Sequence, residues 1–174
     1  MARVGYRVRQ FGRLLWPQPL TAVERQEVEA ILSQRQLLLF AEFAPSDQRH
    51  SYRVLQTLLA AGEMEPSLLV AALLHDIGKI CHPIYVWDRV LIVLGEAFLP
   101  RQVAVWGGGE VSGWKRPFVI RAKHPAWGAD LVHAAGATPL TVRLIARHQD
   151  KLPANSTSHE DKLLARLQWA DDQN

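Results

Sequence analysis

Apolar residues recur at intervals of three and four along most of the chain, and strand-like alternation is rare. That spacing predicts helices, each with one stripe turned to a shared core. Thr21 followed by Glu24 reads as a capping box. Val23, Val28, Ile31 and Leu32 then carry the repeat on through Leu38 and Leu39. Ser46 or Asp47 would cap a second helix, in which Val54, Leu55, Leu58 and Leu59 repeat and which Gly62 would stop. Pro66 suits the first turn of a third. That helix, Ser67 to Ile77, is apolar nearly all round and is expected at the buried centre of a bundle, with Gly78 ending it.

Residues 82–123 are less regular. Val86 to Leu99 reads as a strongly apolar helix that Pro100 ends or kinks. Gly107, Gly108 and Gly109, with Trp106 and Trp114 close by, suggest a mobile loop. Three roles are open to this stretch: a cover for a cleft that sets substrate choice, plain core packing, or a membrane-surface or dimer contact. After Pro125 a helix should run to about Ala135, stopped by Gly136. Thr138 and Pro139 should start another, carrying Leu140, Leu144 and Ile145. Residues 151–158 form a polar loop. Ser158 with Asp161 would cap a last helix reaching at least Trp169. There are no internal repeats. The reading is an all-α fold: one helical bundle over residues 21–174, behind an N-terminal arm at residues 1–20, with residues 82–123 as a variable segment.

Composition narrows the class. The 174 residues are 48% apolar and 21% charged, enough to bury a core without staples and too apolar for general disorder. A single cysteine, Cys81, excludes an internal disulfide and a cysteine-rich zinc module. The net charge of +3 is unevenly placed. Arg3, Arg7, Arg9 and Arg13 precede the first acid, Glu24, and the other 16 basic residues face 17 acidic ones. The basic character therefore belongs to the arm, read first as a solvated segment and second as a contact for an anionic surface. No nucleic-acid motif accompanies it, so no specific nucleic-acid partner is expected. No run approaches the roughly 20 apolar residues of a membrane span. The N-terminus lacks the apolar core and cleavage site of a signal peptide, which makes the cytoplasm the expected location.

Candidate chemistry sits in the run Leu73-Leu74-His75-Asp76-Ile77-Gly78-Lys79. A histidine and an aspartate behind a row of aliphatics are costly to bury without partners. His50, His124, His148 and Asp171 lie on or beside other expected helices, whose polar ends could converge on one point, as in helix-bundle metal sites. Imidazole and carboxylate donors without thiolate suit iron, manganese, nickel, cobalt or zinc. Each position also has a plainer reading. His75 and Asp76 could be a hydrogen-bonded buried pair, His50 an exposed helix residue, and His124 and His148 structural. Asp171 could be a surface residue, with Asp172 as the substitute ligand. Lys79 could be a simple helix-end cation. Arg53 reads as solvated or as a core-edge salt bridge, and His82, His133 and His159 as non-ligands.

Together His50, the His75-Asp76-Ile77-Gly78-Lys79 run, His124-Pro125, Arg147-His148 and Ala170-Asp171 resemble the HD-domain superfamily of metal-dependent phosphohydrolases, over roughly residues 40–174. The resemblance implies one or two divalent transition metal ions. His50, His75, Asp76 and Asp171 would hold the first. Asp76 would bridge to a second, bound also by His124 and His148. Asp76 and Lys79 would serve catalysis, with Lys79 facing an anionic group of the substrate. The implied reaction is hydrolysis of a small-molecule phosphoester, such as a nucleotide, by a hydroxide between the cations. His148 is followed by Gln149 and Asp150 rather than a second histidine and a glutamate, which disfavours the branch that cleaves cyclic di-guanylate. The motifs of the branch hydrolysing guanosine alarmones are not found. Two alternatives remain: a di-iron oxygenase resembling myo-inositol oxygenase, and a non-catalytic metal-binding module.

Overall fold

The computed structural model describes residues 18–153 and 157–174. The four arginines of the arm lie outside the described residues. The described chain is helical, with no strand among the described residues. In chain order the helices are α1 (Ala22–Ile31), α2 (Gln34–Ala41), α3 (Pro45–Ala60), α4 (Pro66–Leu74), α5 (Val86–Phe98), α6 (Pro100–Gly107), α7 (Arg116–Ala134), α8 (Pro139–Arg147) and α9 (His159–Asp172). Short 3-10 turns at Ile77–Cys81 and Gly113–Lys115 precede α5 and α7. No helix of the described residues is long and apolar enough to cross a membrane.

The apolar α4 is the central rod, as its all-round hydrophobicity requires. Leu68, Ala71, Ala72, Leu73 and Leu74 are fully buried. Around it pack α1, α3, α8 and α9, which contribute Val54, Leu55, Leu58, Leu144, Ile145, Leu164 and Leu167 to one core. The capping signals at Thr21, Thr138 and Ser158 each hold, with a side-chain oxygen accepting from a backbone N–H in the first turn. Gly62 and Gly136 follow their helices in the left-handed region, at φ +80° and +79°.

Several boundaries differ from the sequence reading. The first apolar stretch is two helices, because Ser33 and Gln36 form a second capping box that restarts the chain. Val23 and Leu38 are consequently exposed. Helix α3 starts at Pro45 behind Ala44, with no side-chain cap from Ser46 or Asp47. Helix α4 stops at Leu74 instead of Ile77, and Asp76 takes bridge-region dihedrals (φ −94°, ψ 3°) as the backbone tightens into the 3-10 turn. Pro100 opens a helix of its own, α6, which takes in only Trp106 and Gly107 of the expected loop; residues 108–112 are irregular and lead into the 3-10 turn at Gly113–Lys115. Pro125 lies inside α7, which begins nine residues earlier at Arg116. A helix tolerates the missing N–H there when packing holds both halves, and Phe118, Val119, Ile120, Ala129 and Val132 are all buried.

Gly78 does not end α4. Its role is to let two backbones meet. A Cβ on it would collide with the His124 carbonyl oxygen and lie 2.7 Å from the Gly128 nitrogen. The 3-10 turn thus lies directly on α7, and neither backbone can retreat without displacing buried side chains. We expect Gly78→Ala to lower the unfolding free energy by about 3 kcal/mol or more, at the upper end of overpacking costs, as read from urea denaturation. A change under about 1 kcal/mol would mean that the two backbones are not in contact.

Candidate metal centre

Five pieces of chain deliver the candidate ligands to one place. Helix α3 presents His50 in its second turn, and the end of α4 presents His75. The 3-10 turn begins after Asp76. Helix α7 presents His124 from its middle, one residue before Pro125, and His148 follows the last residue of α8. Asp171 lies in the last turn of α9. His124, His75, Asp76 and His148 form a buried floor, at 0, 1, 5 and 5% exposure. His50 and Asp171 are partly exposed and form the rim.

The six residues fall into two groups whose ligand atoms lie within 4.8 Å of one another: His50, His75 and Asp171, and Asp76, His124 and His148. Asp76 faces both. Its Oδ2 is 3.6 Å from His75 Nε2, and its Oδ1 is 3.2 Å from His124 Nε2 and 3.8 Å from His148 Nε2. The imidazoles pack edge to face, with ring centroids 5.4 Å apart for His50 and His75 and 5.3 Å for His75 and His148. Asp171 Oδ1 lies 2.9 Å from His50 Nε2 and 3.7 Å from His75 Nε2. Asp172 does not join either group.

The tautomers follow from the backbone. A carbonyl can only accept, so the Nδ1–H of His75 donates to Ala72 (3.0 Å), that of His124 to Ile120 (3.1 Å) and that of His148 to Ile145 (2.8 Å). In the neutral state each ring then turns a lone pair on Nε2 toward the others. His124 and His148 bring theirs to 3.2 Å. Two lone pairs at that distance cannot satisfy each other. His75 Nε2 is fully buried and has no hydrogen-bond partner among the described residues. Acceptors converge here with too few donors, and a cation is the group that fits.

Charge balance agrees. The Lys79 ammonium donates to Asp76 Oδ2. Burial alone would raise the Asp76 pKa, but Lys79, His75 and His124 together hold it well below the ordinary 3.8. Asp171 is held down to about 2: burial works against this, and the His50 hydrogen bond and the neighbouring His75 prevail. Burial pushes His124 down against the pull of Asp76. Burial, with the neighbouring His75 adding to it, takes His148 from 6.5 to about 3. Both carboxylates are therefore charged at neutral pH, and His124 and His148 are neutral, the states that bind metal.

Two polar residues next to the site carry roles that periodicity could not show. Gln149 Nε2 approaches His124 Nε2 at 3.4 Å while its Oε1 accepts from Arg121. Gln168 donates to the carbonyls of His148 and Asp150, fixing the chain as it leaves α8. His82, read as a non-ligand, lies against Trp127, with ring centroids 5.0 Å apart. Cys81 is free and exposed.

Comparison with known proteins identifies a family. The family model described as HD domain matches residues 48–172, which takes in all six residues of the site. No curated protein and no solved structure matches the chain significantly.

The depressed histidines set a pH dependence. Below about 6.5 the unfolded chain takes up protons that the metal-free folded chain refuses. This part of the stability is complete above about 6.5 and is lost progressively as pH falls toward about 3. We expect the urea midpoint of metal-free protein to fall between about pH 7 and about pH 4, and His148→Gln to flatten that fall. An equal slope in the variant would show that His148 titrates normally.

Proposed function

The chain belongs to the HD-domain family, whose members are in general metal-dependent phosphohydrolases, and from that premise we propose that it hydrolyses a phosphoester of a nucleotide or a related small molecule. The observation that carries this reading is the convergence of neutral, backbone-oriented imidazoles and ionised carboxylates, with His75 Nε2 left without a donor. His50, His75 and Asp171 would hold one divalent ion and Asp76, His124 and His148 a second, with Asp76 placed to serve both. Divalent ions bound there supply Lewis acidity and lower the pKa of a bound water toward about 7.

The chain's own groups do the rest. The carbonyls of Ala72, Ile120 and Ile145 fix three rings in the ligating tautomer, so little reorganisation accompanies loading. Asp76, charged at neutral pH, accepts a hydrogen bond from an attacking water and orients it. Lys79 stands between the buried carboxylate and solvent, with 22% of its side chain exposed. It offers a cation to phosphoryl oxygens that enter from the rim. The buried floor excludes bulk water, which strengthens each of these interactions.

The test is a panel of phosphoesters with metal-free protein reloaded with manganese, cobalt, nickel or iron under nitrogen. We expect phosphate release with at least one metal, and Asp76→Asn to reduce kcat/KM by at least ~10³-fold with the thermal midpoint retained. Metal uptake without phosphate release from any ester would leave a binding module. Substrate oxidation by the iron-loaded protein once oxygen is admitted, with no phosphate released under nitrogen, would assign the site to oxygenase chemistry.

A further inference from the structure

Helix α5 is turned inside out. Its three charged residues all reach toward the body of the protein. Asp88 accepts from Arg116 of α7 at 3.0 Å, Arg89 donates to Asp47 of α3 at 3.0 Å, and Glu96 pairs with Arg121 of α7. Gly95 is the helix's buried point of contact: a Cβ there would meet Phe118 of α7 and Val103 of α6 at under 3.0 Å. The face opposite Arg89 and Glu96 is apolar and faces water. Trp87 is 78% exposed, Leu91 44%, Leu94 49% and Phe98 76%. At 3.6 residues per turn these four lie within an arc of about 60° and span roughly 16 Å of helix. A surface helix ordinarily shows the reverse arrangement. Continuous apolar patches of this kind mark contact sites in soluble proteins.

The order of residues along the stripe indicates what covers it. The intervals are four, three and four, so the stripe reads the same from either end about a centre between Ile92 and Val93. An aromatic ring stands at each end and two leucines flank the centre. A two-fold interface requires this kind of self-complementarity, because each residue must meet a partner placed by the same axis. Antiparallel packing of α5 on a second α5 sets Trp87 against Phe98 of the other copy and Leu91 against its Leu94. No charged side chain of α5 belongs to the stripe, and all three already have a partner on α3 or α7. The two aromatics alone, each about three-quarters exposed, would cover roughly 300 Å² per partner. A standard interface needs roughly 800 Å². Leu91 and Leu94 extend the apolar area between the two rings.

We propose that α5 is a homodimer interface, in which the Trp87, Leu91, Leu94 and Phe98 stripes of two copies pack antiparallel about a two-fold axis. The stripe residues are distinct from Asp88, Arg89 and Glu96, through which α5 pairs with α3 and α7, and none of the candidate ligands lies on α5.

The register makes the experiment specific. Sedimentation of the full-length chain should show a dimer. Leu91→Lys and Leu94→Glu should each raise the dissociation constant by at least ~100-fold, because each places a charge at both central contacts. Their thermal midpoints should stay close to that of the unmodified chain, since both positions face solvent in the protomer. Mixing the two variants should restore a dimer. In a mixed pair one central contact sets the introduced lysine against the introduced glutamate, and the other stays leucine against leucine. A monomeric unmodified chain, a dimer that survives both substitutions, or a mixture that stays monomeric would each overturn the proposal. Co-sedimentation of a monomeric chain with phosphatidylglycerol–phosphatidylcholine vesicles, lost in Leu94→Glu, would also overturn it and give the face to a lipid surface.

Discussion

The contact on which the site depends is backbone against backbone. Where the 3-10 turn after α4 crosses α7, Gly78 and Gly128 remove the two Cβ atoms that would hold the elements apart. A Cβ on Gly128 would itself lie 3.2 Å from the Gly78 nitrogen. This crossing fixes the turn, and the turn fixes Asp76 two residues earlier. The same crossing fixes the middle of α7, which carries His124. Asp76 and His124 therefore meet at 3.2 Å because glycines let their backbones meet. The packed core then makes the arrangement stiff, since close-packed interiors do not yield by small amounts.

Given that geometry, electrostatics decides the rest. Burying three imidazoles and a carboxylate costs free energy unless each finds a partner. The backbone satisfies one nitrogen of each ring and leaves the other nitrogens facing inward. Lys79 partly neutralises Asp76, but it cannot reach all the acceptors, and His75 Nε2 is left without a donor. The low pKa of His148 has the same origin: burial among other imidazoles disfavours a charged ring. A site of this kind is expensive for folding alone and suited to holding cations. The match of the HD-domain family to residues 48–172 agrees with that reasoning.

Much of this can be read from the chain. The helix caps are local, so Thr21, Thr138 and Ser158 are legible as starts, and the all-round apolarity of α4 marks it as central. The placement of His75 and Asp76 after aliphatic residues signals a buried polar pair. What escapes the sequence is whatever depends on a distant neighbour. Pro125 reads locally as a helix start, yet α7 runs through it because both of its halves are buried. Gly78 reads as a helix stop, yet its reason for being glycine is 46 residues away at His124. Ser33 and Gln36 stand at capping-box spacing in a polar stretch between two apolar ones, a local signal that the apolar repeat running across it masks and the reciprocal bonds reveal. Gln149 and Gln168 carry no periodic signal at all. Residues 82–123 read as a helix and a glycine-rich loop, and α5 and the irregular residues 108–112 match that; α6 and the start of α7 at Arg116, both held by packing on distant residues, do not show.

The inward ion pairs of α5 connect its outer face to the ligands in a definite way. Arg89 holds Asp47, three residues before His50 on the same helix. Glu96 holds Arg121, Arg121 donates to Gln149, and Gln149 lies against His124 Nε2. Asp88 holds Arg116 at the start of α7. So α5 ties together α3 and α7, the helices that carry the candidate ligands His50 and His124. These pairs are partly exposed, and each contributes little to stability by itself. Their value lies in orientation: three of them along one helix fix its rotation about its own axis. Without them an apolar helix would roll its stripe toward the core. With them it must show Trp87 and Phe98 to the outside. Coupling between that face and the ligands would need an element with two discrete arrangements, and this network of ion pairs describes a single one. Its physical consequence is alignment: the bonds that keep the stripe outward also keep α3 and α7 in register at the centre.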